Sequence, residues 1–294
     1  MPVAHDGDVE IYYETLGDPG DPAVLFVMGL GAQLTAWPEE WCQAFVDAGR
    51  FVVRFDNRDS GLSTKLRGVD VDLPAVMAAW NAQGPMPAVP YLLSDMARDA
   101  VAVLDDVDVA SCHVVGASLG GMIAQTLAIE HPERVRTLTS IMSSTGEPAF
   151  YQSDPDVRAR LLEPIPPDRE GAVAATVERN RMMSSPRYFD PADAAARAAA
   201  AYDRSFFPEG TGRQTAAIRA SGSRDDALRS LTVPTLVVHG LADPLILPSA
   251  GQHTAETIPG ANLLLVHDMG HDLPRPLWPF LVDVVVSHTE HAIG

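Results

Sequence analysis

Short apolar runs without polar interruption constrain this chain most. Residues 23–28 (AVLFVM) and 51–55 (FVVRF) are of strand length. A strand with one wet face alternates apolar and polar residues, so continuous runs belong in a sheet covered on both faces. The first run leads into a glycine-bearing turn, GLGAQ, and then PEEWCQAFVDAG, a helix with proline near its start and glycine at its end. DNRDSG after the second run is turn chemistry. Apolar residues recur at helical spacing over 92–104 (LLSDMARDAVAVL). CHVVG is then a short buried strand, LGGMIAQTLAIEHPERV a helix closed by proline, and 137–142 (TLTSIM) another strand. Ahead of all these, 9–15 (VEIYYET) alternates weakly, as an early edge strand would. Residues 64–90 are punctuated by Gly68, Pro74, Gly84, Pro85, Pro87 and Pro90, which leaves a loop with one short helix near PAVMAAW.

The pattern changes after residue 143. From there to about 228 there are prolines and helical text, including the alanine-rich GAVAATVERNRMM and PADAAARAAAAYDR, but no strand. Strands resume at 235–239 (TLVVH) and 262–266 (NLLLV), and LWPFLVDVVVSHTE makes a final helix. Strand–helix alternation around a helical insertion predicts an α/β fold: a doubly wound, mostly parallel sheet with helices on both faces. The expected core is 1–142 with 229–294, and 143–228 is expected as a helical cap above the carboxyl edge of the sheet. The length, 294 residues, suits one domain with a modest insertion.

Net charge is −18, which repels phosphate backbones and anionic lipid, so neither nucleic acid nor a membrane is an expected partner. No run approaches the ~20 apolar residues of a membrane span. MPVAHDGDVE lacks the basic start and apolar stretch of a signal peptide. The expected location is cytoplasmic, although a chain whose signal had been removed would look the same. Cys42, in a helix, and Cys112, just before a strand, form no C-x-x-C pair and are expected as ordinary thiols.

The strongest local motif is VVGASLGG, residues 114–121, with G-x-S-x-G as Gly116-Ala117-Ser118-Leu119-Gly120. An apolar strand precedes it and a helix follows. A sharp turn between the two would hold Ser118 Oγ above the sheet, with a helix N-terminus aimed at developing negative charge. A serine hydroxyl needs a base. Of nine histidines, His271 in HDMGHDLP is the candidate, because it follows the last strand in a glycine-containing loop. His267 competes but lies nearer the strand end, while His113 and His239 are expected to be structural. The imidazole needs an acceptor that fixes its tautomer. Asp243 in HGLADPLI fits, with a plain Asx-turn as its alternative role. Asp268 and Asp272 are too local to His271 to orient its far nitrogen. The oxyanion that forms on a substrate carbonyl calls for two backbone N–H groups, assigned to Leu119 and, from VMGLGAQ, to Leu30. Gly29 and Gly31 would allow close approach there. Losing one such donor typically costs about 3 kcal/mol in the transition state.

These segments resemble a known family. VMGLGAQLTAWPEEW, RFDNRDSGLS, HVVGASLGGMIAQTLAIEHPERV, VPTLVVHGLADPLILP and MGHDLP, in this order, are similar to the α/β-hydrolase superfamily of esterases. They resemble more closely its actinobacterial branch that includes aclacinomycin methylesterase. The resemblance implies a Ser118–His271–Asp243 triad and oxyanion positions at Leu30 and Leu119. It also implies a D-x-R-x-x-G loop at Asp56, Arg58 and Gly61 that braces the site. Met28 departs from the pattern, since many relatives carry histidine there. Relatives that attack with aspartate, the haloalkane dehalogenases and epoxide hydrolases, are set aside because residue 118 is serine. The implied activity is hydrolysis of small to medium hydrophobic esters through an acyl-enzyme, without metal or organic cofactor, extending to methyl esters of polyketides. Lactone hydrolysis, carbon–carbon bond hydrolysis, perhydrolase-type chemistry and a non-catalytic ligand-binding role stay open. Met182, Met183, Tyr188, Phe189, Tyr202, Phe206 and Phe207 either line an apolar pocket or pack the cap onto the core.

Overall fold

The computed structural model describes residues 1–290. A hairpin of β1 (Val3–Asp6) and β2 (Val9–Leu16) precedes β3 (Ala23–Val27), β4 (Phe51–Phe55), β5 (Cys112–Ala117), β6 (Val135–Ile141), β7 (Thr235–Gly240) and β8 (Asn262–Val266). They form one sheet in the order β1-β2-β4-β3-β5-β6-β7-β8. The hairpin pairs antiparallel onto β4, and every pairing from β4 to β8 is parallel. The edge on the hairpin side is therefore β1; β2, expected as an edge, lies one strand in.

Why the apolar runs lack alternation is visible in β3. Val24 and Phe26 face one layer with Trp37, Trp41 and Phe45, while Leu25 and Val27 face the other with Met96, Val103 and Ile123. Both faces are covered, so both residue sets must be apolar. The first layer is supplied by α1 (Glu39–Asp47) and α11 (Trp278–Glu290), the second mainly by α3 (Leu93–Asp106) and α4 (Leu119–Glu130). Helix α10 (Pro248–Thr257) links β7 to β8. Cys42 and Cys112 are buried free thiols, and Cys112 is the first residue of β5.

The connector after β4 contains α2 (Leu73–Asn81). Pro74 does not interrupt it, because it sits in the first turn, where the missing N–H costs nothing, and Asp72 caps that turn by accepting from Ala75 N–H. Five helices lie between β6 and β7: α5 (Pro155–Leu162), α6 (Arg169–Met183), α7 (Pro191–Arg204), α8 (Glu209–Ser221) and α9 (Asp225–Leu228). Asp154, Asp168 and Asp190 cap the first three. Helices α6 and α7 pack on each other, whereas Ala217 and Ile218 of α8 and Leu228 of α9 join the α3–α4 apolar layer. Among the described residues no helix is long and apolar enough to cross a membrane.

Strand β3 lies between β4 and β5, so the chain leaves β3 toward one side and returns on the other. The loops after β3 and β5 thus diverge at the carboxyl edge, where a doubly wound sheet opens a crevice.

Candidate active site

Parallel register does most of the assembly. Val27 is paired with Gly116, which sets Met28-Gly29-Leu30 beside Ala117-Ser118-Leu119. Ser118 has φ 56° and ψ −121°, a left-handed conformation that a non-glycine residue adopts only under constraint. The constraint is backbone crowding. A Cβ on Gly120 would lie 2.0 Å from Val27 O, and one on Gly116 would lie 2.2 Å from Gly120 O. Helix α4 can start against β3 only with glycine at both positions, and the turn then leaves Ser118 half-buried at the helix N-terminus.

His271 follows β8 by five residues, and its Nε2 is 3.0 Å from Ser118 Oγ. Its Nδ1 is 2.7 Å from Asp243 Oδ2, and Asp243 follows β7 by three residues. Asp243 also accepts from the N–H groups of Leu245 and Ile246 at 2.9 and 3.0 Å, both on Oδ1. The Asx-turn and the contact with His271 are therefore not alternatives, because one carboxylate makes both. Burial alone would raise the Asp243 carboxyl, but electrostatic attraction to His271, with hydrogen bonds from His239 and His271, outweighs it and holds it at about 2. An ionised Asp243 keeps a proton on His271 Nδ1 and leaves Nε2 free to accept from the Ser118 hydroxyl.

The other histidines have different surroundings. His267 points to solvent beside Asp268, 3.1 Å away. His113 is fully buried in β5, with Nδ1 2.9 Å from Thr137 Oγ1. His239, at the end of β7, is also fully buried; its Nε2 lies 2.8 Å from Ile246 O and 3.4 Å from Asp243 Oδ2. Asp272 accepts from the N–H groups of Ser185 and Gly270 and makes no hydrogen bond to the His271 ring.

Leu119 directly follows Ser118, and Leu30 directly follows Gly29 in the loop after β3. Gly29 brings its loop so close that a Cβ there would be 3.1 Å from Ser118 Cβ. Among the described residues no hydrogen bond uses the N–H of Leu30 or of Leu119, while Gly31 and Ala32 donate to Gln214 and to Gly29 O. At Met28 the loop is held through its carbonyl, which accepts from Asn57 Nδ2 at 2.8 Å. The D-x-R-x-x-G residues stand behind it. Fully buried Asp56 accepts from the N–H groups of Leu34 and Leu62, and a Cβ on Gly61 would sit 2.1 Å from its carboxyl. Arg58 forms a two-pronged pair with buried Asp99 at 2.6 and 2.7 Å.

The helical segment also reaches this site through backbone. His271 N–H donates to Met183 O at 2.7 Å. Tyr202 packs against Phe206 with ring centroids 4.6 Å apart and the planes tilted by 35°, and donates to Pro167 O. Phe207 lies under the guanidinium groups of Arg67 and Arg213. These three rings have partners within the segment and the connector after β4. Sequence reasoning passed over Gln33, Asn57, Ser143 and Gln214. Ser143 donates to Ser118 O at 2.7 Å, and the others hold the loop after β3. Their partners are mostly distant in sequence, and no local pattern marks them.

Residues 22–274 match the family described as the alpha/beta hydrolase fold. Rhodomycin D methylesterase DnrP of Streptomyces peucetius is 31% identical over 97% of this chain and 96% of its own. Est816, described as an N-acyl homoserine lactone degrading enzyme, superposes with a TM-score of 0.72 at 27% identity, over 97% of this chain and 99% of its own. The enol-lactonase of Burkholderia xenovorans LB400 shares the fold, with a TM-score of 0.75 at 20% identity over 98% of this chain and all of its own. The chain belongs to the α/β-hydrolase fold family.

Proposed function

We propose that this hydrolase is a serine carboxylic-ester hydrolase that works through an acyl-enzyme on small to medium hydrophobic esters, with methyl esters of polyketides as the specialised case. The observation that carries the reading is the unbroken chain Ser118 Oγ–His271 Nε2, His271 Nδ1–Asp243 Oδ2, at 3.0 and 2.7 Å. In the proposed reaction Ser118 Oγ attacks the ester carbonyl as its proton passes to His271 Nε2. The N–H groups of Leu30 and Leu119 receive the oxyanion. The C–O bond to the alcohol breaks, and the alcohol leaves with the proton from His271. Water then gives a proton to His271 and attacks the acyl-enzyme, releasing the carboxylic acid and restoring Ser118. Residues 143–228 act as the cap; Met183 O, which accepts from His271 N–H, ties cap to base.

Likeness to a rhodomycin D methylesterase along nearly the whole chain supports the polyketide methyl ester as substrate. Kinetics on a polycyclic methyl ester and a small aryl ester test this. A higher kcat/KM on the methyl ester is expected, and equal or better turnover of the small ester refutes the specialised reading while keeping the general one. Likeness to Est816 favours a lactone as second reading, so an N-acyl homoserine lactone belongs in the same assay. Turnover of the lactone alone would replace the ester assignment.

A further inference from the structure

The loop after β3 is gripped from the helical segment by one carboxamide. Gln214 is fully buried on α8. Its Oε1 accepts from Gly31 N–H at 2.8 Å, and its Nε2 donates to Arg58 O at 2.8 Å, so a single side chain joins the loops after β3 and β4. Helix α8 also presses on Gly31, whose φ is +66°: a Cβ there would be 2.8 Å from Thr211 Oγ1. A second tie lies two residues on, where Gln33 Nε2 donates to Ala201 O and Ser205 O at the end of α7. On its other side the loop meets Ser118 through Gly29. Leu30 sits between these two anchors. Held by the Gly31 N–H on one side and by Gly29 against Ser118 on the other, the Gly29–Leu30 peptide, which carries the Leu30 N–H, can turn only through the soft dihedrals between the two anchors, which narrows its directions.

We infer that Gln214 is a positioning residue for the oxyanion hole: its carboxamide, borne by the helical segment, sets the direction of the Leu30 N–H. The inference rests on the ester-hydrolase reading. It makes transition-state stabilisation depend on how α8 is seated, whereas neither hydrogen bond of Gln214 involves His271 or Asp243. An electrostatic donor acts through its aim at the charge that develops, so misdirection lowers kcat more than substrate binding.

Gln214→Met keeps length and approximate volume and removes both hydrogen-bonding groups. Gln214→Glu keeps an acceptor for Gly31. Steady-state kinetics on a turned-over aryl ester are read beside Ki for a matched trifluoromethyl ketone, which forms a tetrahedral oxyanion on Ser118. For Gln214→Met, kcat falls about 10- to 100-fold with KM within about twofold. Ki rises by the factor that kcat/KM falls, and the acid limb of the pH profile stays in place. The ionised carboxylate of Gln214→Glu, however, sets a second acceptor against Arg58 O and buried negative charge near the oxyanion, so kcat of this variant falls at least as far as that of Gln214→Met. Should Gln214→Met not fold, Gln214→Asn, too short to reach Gly31, shows the same split. Wild-type kcat and Ki in a folded Gln214→Met or Gln214→Asn overturn the inference, as does a loss carried by KM or by a displaced acid limb. A wild type that turns over no ester and leaves Ser118 unlabelled by a fluorophosphonate overturns the ester-hydrolase reading and this inference with it. An active wild type with an indifferent Gln214 overturns this inference alone.

Discussion

Two regions meet at Ser118, and they are built on different principles. The loops after β5, β7 and β8 bring Ser118, Asp243 and His271 together by parallel strand register, Ser118 directly after its strand and the other two within five positions of theirs. The seam between the helical segment and the loops after β3 and β4 is held instead by buried polar side chains. Arg213 pairs with Asp59 at 2.8 Å through two nitrogens, Tyr91 donates to the same carboxylate, and Arg204 pairs with Asp56 at 2.8 Å. The first region converges on one line of contacts from Ser118 through His271 to Asp243, which the proposed reaction uses. The second uses many, each placed for rigidity. Substitutions in the triad should therefore cost rate and little stability, and those in the seam the reverse, with Gln214 as the point where the two overlap.

The sharpest test of that contrast is Ser118→Ala, for which kcat on any accepted ester should fall on the order of 10⁶-fold while the melting temperature holds. A variant that retains more than a few per cent of kcat breaks the assignment of the nucleophile. Asp243→Asn should cost about 10⁴-fold in kcat, because an amide presents an N–H to His271 Nδ1 and favours the wrong tautomer. Only a small change in KM should accompany it.

Across the seam the sign reverses. Arg213→Ala leaves the Asp59 carboxylate buried without its partner, and denaturant unfolding should show a loss of about 3–5 kcal/mol. A loss below about 1 kcal/mol would mean that the seam is not a source of rigidity.

The smallest effect is expected at the end of β5 remote from Ser118. Burial depresses His113 to about 4 from an ordinary 6.5, with nearby Arg50 and Arg136 adding to the shift. Its Nε2 has no partner among the described residues, so a proton there would be buried unpaired. The unfolded chain takes up this proton first as pH falls. Stability present above pH 6.5 is therefore lost progressively down to about pH 4, by about 3 kcal/mol. His113→Gln should flatten that part of the stability–pH curve without moving the acid limb of kcat. An unchanged curve would show that His113 is hydrated or paired in solution.

The same contrast explains how much the amino-acid sequence discloses. Strand β3 is legible because both its faces are covered, and the Ser118 turn because glycines must stand where α4 crosses β3. Asp243 and His271 are conspicuous as turn residues just past apolar runs. Helix α2 is legible only as a short helix near PAVMAAW, since Pro74 is a breaker in most contexts and a first-turn residue here. The seam was illegible for a different reason. Gln214 and Gly31 are 183 residues apart, and a glutamine in a polar helix carries no sign that its partner is a loop N–H. Residues 9–15 read as an edge strand because the true edge, β1, has only four residues, VAHD, too few to show alternation.

The central claim is that Ser118 is activated where it stands. Intact mass after exposure to a serine-directed fluorophosphonate, for the wild type and for Ser118→Ala, tests it most directly. The account predicts one adduct on the wild type, formed as Ser118 Oγ displaces fluoride from phosphorus, and none on the variant. An adduct that persists in Ser118→Ala, or a folded wild type that stays unmodified by a probe small enough to enter, would contradict it.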